Sequence, residues 1–544
     1  MTPERAVTEA DETGIRLATE FWQRQTGRTN EFDVARPADA LTLRVAMLAA
    51  ARGDQRVVFP RIPETGDLTV TNGVLYLNLR SALAIAARND RPYQNHKETI
   101  FKTALSLDYE QHQFETTFSG LILSALDGDL DAKTASGGGK AGASKVFSNG
   151  AKVAGALALD LVSLLRDDWR SVAFNGDLSV SIPLLRGAGK DVVMESLTQA
   201  ERNLVYAIRN FEHYRQTYAV SVADAYFRVL KAYQVAKNSL DNQQRLRLNS
   251  QRAEMMFKAG RMNRIEKDQA LNDLLTAKES EISTRKDYQA FLDNFKVIIG
   301  LPPEGKVELD MNDLTRLEKF MEQIRTGSDN PLEGYPSESE MCRIALTERH
   351  DIYVARCELE DVARNVKIKA DALRADLTLT GGPSFNRKRS TGSGGFNGEE
   401  LWDASLNMDL PWERRAERNA FKNQLIALEQ SKRTLEEKED NVKKTVRNDI
   451  LSLIAARATY ENAIEKMKVA ELRVESNNLF QQSGRSSMRD ILEAESSLLS
   501  ARNSLCNALV SWFMSDLELR RDMGVLEVDD SGMFTFLNKT ANVF

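Results

Sequence analysis

The sequence predicts a mainly α-helical chain with a smaller β part, in which one unit of strands and a long helical hairpin is duplicated. Three observations support this fold class: a repeated stretch centred on a single glycine, long proline-free segments with helical spacing, and short segments in which apolar and polar residues alternate. Of the 544 residues, 42% are hydrophobic, which is enough for a large core.

Composition argues against several classes of protein. The formal net charge is −6 and the basic residues are scattered, which does not fit nucleic-acid binding. Cys342 and Cys357 are expected on one helix, roughly 22 Å apart, too far for a disulfide. The chain has no CxxC pair and its four histidines stand alone, so a zinc site is not expected. No stretch reaches the ~18 apolar residues of a membrane-spanning helix.

The duplication is seen in pairs of matching segments. "MMFKAGRMNRIEKDQALNDLLTAKESEI" surrounds Gly260, and "NLFQQSGRSSMRDILEAESSLLSARNSL" surrounds Gly484. Further upstream, "LSVSIPLLRG" (178–187) resembles "LNMDLPWERR" (406–415). A third pair, "SALAIAARND" and "RIALTERHDI", shares an Ala-Leu step, and all three pairs occur in the same order. We therefore expect two copies of one architecture.

Each copy is expected to contain a long helical hairpin that turns at its glycine. Proline is absent between residues 184 and 301 and after residue 411, and apolar residues recur at three- and four-residue steps typical of a coiled-coil seam. The first long helix is predicted from about Lys190 to Lys258, roughly 100 Å, and its return arm from about Met262 to Ile299. Because the return arm is short, additional helices (about 79–107 and 337–373) are expected beside the long helices.

Alternating segments between these helices predict β-strands. They are "GALALDLVSLL", "LSVSIP", "ADLTLTGG" and "DASLNMDLP", with a weaker signal in "FETTFSG". Aromatic residues near the strand ends resemble the girdle of a membrane β-barrel: Phe147, Trp169, Phe174, Phe385, Phe396, Trp402 and Trp412. Two strands per repeat make four per chain, too few to close a barrel, so several copies are expected to share one. A soluble β-sandwich cap is the alternative.

Over residues 77–526 the chain resembles the TolC-like outer-membrane efflux proteins, or outer membrane factors. "GRSSMRDILEAESSLLSAR" is similar to the family's G-x-x-x-x-x-D-V-L-D-A-x-x-x-L-x-x-A stretch, and "SVSIPLLRGAGKD" resembles a subgroup's Q-P-L-L-R-G-x-G. The resemblance implies a homotrimer whose α-helical barrel forms a periplasmic tunnel, topped by a shared 12-stranded β-barrel. It also implies outer-membrane lipid, a periplasmic adaptor (membrane fusion) protein and an inner-membrane pump as partners.

The resemblance suggests a division of the chain. Residues 1–76 form an N-terminal extension, with one polar helix (Glu9 to Arg24) and a linker; 77–300 and 337–526 are the repeats; 301–336 link them; 527–544 are a tail. An outer-membrane location also implies a signal peptide or lipoprotein signal, which is missing from the polar start "MTPERAVTEADETG".

Two sets of site residues follow from the resemblance. Gly260, Arg261, Gly484 and Arg485 are expected at hairpin tips that dock the adaptor, although the family often has an aliphatic residue or Thr after the glycine. Asp490 and Glu493 match the two acids of the family's motif and share one helix face. In a trimer they would form a constriction ring that prefers cations. In the first repeat the matching positions are Glu266 and Gln269, so only one acid is retained.

Two further glycine-rich segments are predicted to be flexible loops. "SGGGKAGASK" (136–145) departs from the phosphate-loop motif because Ala141 follows Lys140, and it is predicted to be a flexible loop. "FNRKRSTGSGGFNGEE" (385–400) is assigned the same role. No catalytic grouping stands out, so neither an enzyme nor a cofactor is proposed. The alternative function is a soluble periplasmic coiled-coil scaffold.

Overall fold

The computed structural model describes residues 2–30, 32, 34, 37–52, 70–71, 74–128, 133–164, 170–327, 332, 334–390, 395, 397–410, 412–482, 487–529 and 532–535. Its helices are α1 (Pro3–Thr26), α2 (Pro37–Ala51), α3 (Leu79–Asn89), α4 (Arg91–His112), α5 (Lys190–Val193), α6 (Glu195–Lys258), α7 (Arg264–Ile298), α8 (Asn312–Gly327), α9 (Glu338–Glu348), α10 (His350–Asp371), α11 (Arg415–Gln482) and α12 (Met488–Asp522). Its strands are β1 (Val70–Thr71), β2 (Val74–Leu77), β3 (Thr117–Gly128), β4 (Lys133–Val146), β5 (Lys152–Leu164), β6 (Arg170–Pro183), β7 (Val307–Leu309), β8 (Asp376–Ser390) and β9 (Asn397–Asp409).

The chain divides into two compact units, and each draws on both sequence repeats. The sheet unit comprises Met1–Asp33, Glu98–Arg209 and Val354–Glu436. The helical unit comprises Val34–Lys97, Asn210–Tyr353 and Glu437–Phe544. None of the described helices is long and apolar enough to cross a membrane.

The sheet unit contains an antiparallel sheet of six strands in the order β3-β4-β5-β6-β8-β9. The expectation of four strands per chain is therefore wrong, because the first repeat supplies four strands and the second supplies two. The additional pair is β3 and β4. β3 begins within the weakly alternating "FETTFSG" (114–120) and continues to Gly128, while β4 contains the segment 136–145 that we expected to be a loop.

A strand forms at 133–146 because its neighbours on both sides provide backbone partners. β4 pairs with β3 from Thr117↔Ser144 to Gly128↔Lys133, and with β5 along almost its whole length. Its glycines lack side chains, so the alternation that marks a strand is not visible in the sequence. The second expected loop, 385–400, is also shorter than expected, because β8 continues to Ser390 and β9 begins at Asn397.

The two faces of the sheet differ in polarity. Residues paired across strands lie on one face, and following the pairs identifies one face that holds most of the large apolar side chains of every described strand except the glycine- and alanine-rich β4: Phe118, Ile122, Val153, Leu157, Leu159, Leu161, Val172, Phe174, Leu178, Val180, Ile182, Leu377, Leu379, Pro383, Phe385, Trp402, Ala404, Leu406 and Met408. We call this the apolar face. On the apolar face of β8 and β9, the charged residues Arg387, Arg389 and Glu400 lie only at the end of the strands that is distant from α11. The opposite, polar face is mostly Ser, Thr, Asn, Asp, Gly and Ala, with leucines at 121, 123 and 401.

Aromatic rings pack along the apolar face. The rings of Phe174 and Phe385 lie 5.5 Å apart, and a Cβ at Gly176 would stand only 2.3 Å from the Phe385 ring. Glycine at this position therefore lets the ring lie over the neighbouring strand. Of the seven aromatic residues expected near the strand ends, Trp169 and Phe396 lie outside the described residues.

The helical unit buries a large apolar core. The expected seam of α6 is buried at Val222, Ala225 and Val229, and the residues that pack with it include Phe513 on α12. The hairpin arms agree closely with the expected bounds. The two shorter helices, expected at about 79–107 and 337–373, are each interrupted. α3 ends before Asp90 and α9 ends before Arg349, and the backbone is extended at both residues. Cys342 and Cys357 consequently lie on different helices, α9 and α10.

In the described part of the N-terminal extension there are two helices, α1 and α2, where one was expected. Within the sheet unit, α1 packs against α4: a Cβ at Gly14 would approach the Phe101 ring within 2.6 Å, and Trp22 is buried against Phe32. In the helical unit, β2 pairs in parallel with β7, which lies in the expected inter-repeat linker.

Candidate pore site at the helical hairpin tips

The first hairpin turns at Gly260, as expected from the sequence. Gly260 has a φ of 70°, a left-handed conformation that strains other residues. Its N–H donates to the Phe257 carbonyl at 3.0 Å, and the Arg261 N–H donates to the Met256 carbonyl at 2.9 Å. This pair of bonds is the Schellman motif, which satisfies the last carbonyls of α6.

The residues after the turn start the return helix. Arg261 is exposed, and the Asn263 side chain caps α7 by accepting a hydrogen bond of 2.8 Å from the Glu266 N–H. Glu266 therefore lies in the first turn of α7, where a carboxylate interacts favourably with the helix dipole. The second tip, with Gly484 and Arg485, lies outside the described residues.

Asp490 is part of the N-terminal cap of α12. The Ser487 N–H donates to the Asp490 carboxylate at 2.9 Å, the Ser487 hydroxyl lies 2.7 Å from the same oxygen, and the Asp490 N–H donates back to that hydroxyl. This is a capping box, and it assigns Asp490 a structural role that spacing alone did not indicate. The side-chain amide of Asn477 on α11 donates to the Asp490 carbonyl at 3.0 Å.

Glu493 has an ionic partner on the neighbouring helix. The guanidinium of Arg473, on α11, donates to the Glu493 carboxylate at 2.8 Å. Both side chains are largely exposed, so water screens this pair. Glu493 is thus held on the side of α12 that faces Arg473. This pairing could not be predicted from spacing, because the partners belong to different helices.

Equivalent positions of the two repeats meet in one cavity. A cavity of about 430 Å³ is lined by Gln269 and Glu493, which occupy matching positions in the repeats, together with Asp273 and Arg489. Burial raises the pKa of Asp273 above its ordinary value. Glu493 and the first repeat's Gln269 therefore line the same cavity, whereas Glu266 and Asp490 lie in the first turns of their helices.

A buried ion pair near the tips was missed in the sequence. Glu495 on α12 is almost fully buried and accepts a bond of 2.6 Å from Arg245 on α6. A signal existed, because Glu495 lies in the helical stripe of Ile491, Leu492 and Leu498, and an acid at such a position needs a partner. Arg245 and Glu495 also line a second cavity of about 430 Å³ with Arg252.

The site thus places the exposed carboxylates of Asp490 and Glu493 near the start of α12, and the half-buried carboxylate of Glu266 near the start of α7. Among the described residues, no three His, Cys, Asp or Glu side chains come together as a set able to hold a metal ion. What the carboxylates can do is attract mobile cations by charge, with Glu493 partly neutralised by Arg473.

Comparison with known proteins relates this chain to outer-membrane channels. Residues 342–525 match the family model described as outer membrane efflux protein. A stretch of 178 residues is 28% identical to the outer membrane protein TolC of Vibrio cholerae, covering 31% of this chain and 40% of that protein. The match thus spans less than half of TolC.

Solved structures share the fold over most of the chain. The open state of the MtrE outer membrane channel of Neisseria gonorrhoeae has a TM-score of 0.58 at 16% identity, covering 82% of this chain and 89% of MtrE. The CmeC outer membrane channel of Campylobacter jejuni has a TM-score of 0.58 at 14% identity, covering 86% and 89%. VceC of Vibrio cholerae has a TM-score of 0.57 at 13% identity, covering 82% and 96%. The expected resemblance is confirmed, as is the fold class of long helices with a smaller antiparallel sheet.

Proposed function

We propose that the chain forms the outer-membrane channel of a tripartite efflux or type I secretion system. The premise is the match of residues 342–525 to the outer membrane efflux protein family. The channel is a passive duct through the periplasm and the outer membrane, without catalytic activity. The observation that carries this proposal is the apolar face of the six-stranded sheet, which is exposed although the opposite face is polar.

The exposure of the apolar face favours an outer-membrane duct over a soluble scaffold. Phe118 is 83% exposed, Ile122 89% and Trp402 82%, and the leucines of β5 on the same face are also exposed. A soluble β-cap would turn such a face inward, since monomeric soluble proteins rarely leave large contiguous apolar patches in water. Hydrocarbon chains of outer-membrane lipid are the solvent that fits this face.

The assembly is a homotrimer that works with a periplasmic adaptor protein and an inner-membrane pump. Support comes from the kinship with efflux channels and from the sheet, whose strands are too few to close around a pore within one chain. Adaptor docking involves the hairpin tips at Gly260, Arg261, Gly484 and Arg485. The Schellman turn and the exposed Arg261 are consistent with a rigid, accessible tip.

Within the trimer, Asp490, Glu493 and Glu266 surround the tunnel as a constriction ring. Of these, Glu493 is the main determinant of ion preference, because Asp490 also caps its helix. The ring from the first repeat is weaker, since Gln269 stands where the second repeat has Glu493.

Fractionation and bilayer recording test the proposed function. The chain, expressed with a leader sequence in a Gram-negative host, is expected in the outer-membrane fraction as a trimer that dissociates on heating, and to form cation-preferring channels in planar bilayers. Glu493→Gln should reduce the cation preference, with the exposed Glu465→Gln on α11 as the matched control. Recovery as a soluble periplasmic protein would instead support the scaffold.

Docking at the tips needs its own experiment. Arg261→Glu combined with Arg485→Glu is expected to abolish export while the trimer still assembles in the outer membrane. Arg285→Glu, in the middle of α7, controls for the loss of positive charge. Export that continues at the original rate would exclude these arginines from docking.

A further inference from the structure

The six-stranded sheet ends in two edge strands, β3 and β9, which pair with no further strand in the described part of the chain. Each is long: β3 pairs on one side over Thr117 to Gly128, and β9 over Asn397 to Asp409. Their other sides present unpaired backbone N–H and C=O groups. Lipid offers no partner for these groups, so open sheet edges do not occur within the hydrocarbon region.

We propose that β3 of one copy pairs with β9 of the next copy, so that each copy contributes six strands to one closed barrel. This inference rests on the proposed function, and with the trimer proposed there the barrel has eighteen strands. The interaction surface is therefore a pair of strand edges, and the partner is a second copy of this chain.

Closure within one chain is excluded by size, because the smallest membrane barrels have about eight strands. The direction of the strands favours closure between copies. β3 follows α4 and leads away from the helices, whereas β9 returns towards α11. An even number of strands per copy thus makes the joint antiparallel, like every other pair in the sheet.

The register of the joint follows from the strand ends. Following the pairs across the sheet, Thr117 is level with Ser144, Ala154 and finally Asp403. β9 continues for six residues beyond Asp403, to Asp409, before α11. If Thr117, at the helix-side end of β3, pairs with Asp409, at the helix-side end of β9, the register shifts by six residues over the six strands of one copy. Neighbouring strands are then staggered by one residue on average. With a strand spacing of ~4.8 Å and a rise of ~3.3 Å, this corresponds to a tilt of about 35°, within the range of membrane barrels.

Side-chain chemistry agrees with this register. Thr117 and Asp409 both lie on the polar face, so the polar lining continues across the joint. The apolar face also continues across the joint, because Phe118 lies beside Met408, and both side chains are exposed in the single chain. A shift of two residues would keep the faces in phase with a tilt of about 43°, whereas a shift of one residue would exchange them.

The additional strands widen the duct. Barrel diameter grows roughly linearly with strand number, so at a tilt of about 35° the backbone diameter is about 34 Å for eighteen strands against about 22 Å for twelve. On the polar face β4 carries Gly, Ser and Thr at most positions, with Lys140 as the one long side chain between Thr134 and Ser144, so it adds little side-chain volume to the lumen. The outer-membrane section therefore admits bulkier cargo than a twelve-stranded barrel would.

Cysteine crosslinking tests the joint. In full-length protein with Cys342, Cys357 and Cys506 replaced by Ala, the pair Ser119→Cys and Asn407→Cys lies across the joint in the 35° register. Leu121→Cys with Asn407→Cys reports the 43° register. Mild oxidation in outer membranes should convert the 61.0 kDa chain into a covalent ring of about three times that mass, reversed by reductant.

Two further pairs make the outcome decisive. Ala154→Cys with Asn407→Cys crosslinks only if the β3–β4 hairpin stays outside the barrel and β5 meets β9. Thr380→Cys with Ser405→Cys, whose hydroxyls are 2.6 Å apart, should crosslink within one chain and confirms oxidation. A trimer linked through position 154, or a trimer without any edge crosslink, would overturn the eighteen-stranded barrel and leave the duct intact. A monomer in mild detergent would overturn the proposed function itself.

Discussion

The sheet unit and the helical unit place the same kinds of side chain in opposite environments. Phe118 and Ile122 on the sheet are more than four-fifths exposed, whereas Phe227 and Phe513 in the helical unit are fully buried against each other, with ring centroids 5.2 Å apart. Hydrophobic content therefore does not distinguish the units. The difference is exposure: the helical unit encloses its apolar residues in a core, whereas the sheet leaves one apolar face exposed, which we propose meets lipid.

The largest effect is expected from truncating a buried ring. Phe513→Ala should lower the free energy of unfolding by about 3–5 kcal/mol, because it leaves a cavity beside Phe227. Urea titration of the detergent-solubilised protein measures this loss. Phe118→Ala on the sheet is the matched control and should change the unfolding free energy by less than about 1 kcal/mol, since its ring has few protein contacts to lose. Equal losses at both positions would contradict the contrast between the units.

A charged side chain on the apolar face of the sheet should destabilise the protein, whereas one on the polar face should not. Leu157→Lys, in the middle of β5 on the apolar face, is expected to destabilise the membrane-inserted protein by about 2–4 kcal/mol, because the ammonium group would lie in hydrocarbon. Ala158→Lys, the next residue on the polar face, should be tolerated. Unfolding of the protein from lipid vesicles gives both values. Two equally stable variants would show that neither face meets lipid.

A half-buried acid in the helical unit, Asp449, makes stability depend on pH. Burial, together with the nearby Asp522 and Glu518, raises the pKa of Asp449 from its ordinary 3.8 to about 7, although Arg521 opposes the shift. The folded state therefore holds a proton that the unfolded state has lost, and this contribution to stability disappears as pH rises from about 4 to about 7.

Asp449→Asn removes this titration and should stabilise the protein relative to the wild type by about 1 kcal/mol more at pH 8 than at pH 5, after allowance for solvent screening. Thermal unfolding at the two pH values measures the difference. Asp440→Asn, at an exposed position on the same helix, is the control. A gain that is the same at both pH values would assign the effect to something other than this proton.

The smallest effect on stability is expected at the tip. Arg473→Gln breaks an exposed ion pair with Glu493 and should cost less than about 1 kcal/mol. It should nevertheless increase the cation preference of the channel, because the Glu493 carboxylate loses its neutralising partner. Bilayer recording in a salt gradient measures the change, with Lys468→Gln, which pairs with Glu465, as control. A preference that falls or stays constant would place Glu493 away from the conduction path.

The duplicated architecture and the long helices can be predicted from local sequence patterns alone. Helical spacing and the absence of proline are local properties, and the left-handed turn at Gly260 needs only a residue without a Cβ. For the same reason the bounds of α6 and α7 agree with those expected from the sequence. The acid at Glu495 also had a local signal, its position in an apolar stripe.

The number of strands and the partners of the site carboxylates depend instead on contacts between segments that are distant in sequence. The glycine-rich β4 is a strand because β3 and β5 supply hydrogen-bond partners on both sides, and pairing between distant segments leaves no period in a run without side chains. Similarly, Glu493 meets Arg473 because α11 and α12 lie side by side at that level. Spacing along one helix shows which residues share a face, but the neighbouring helix decides what that face meets.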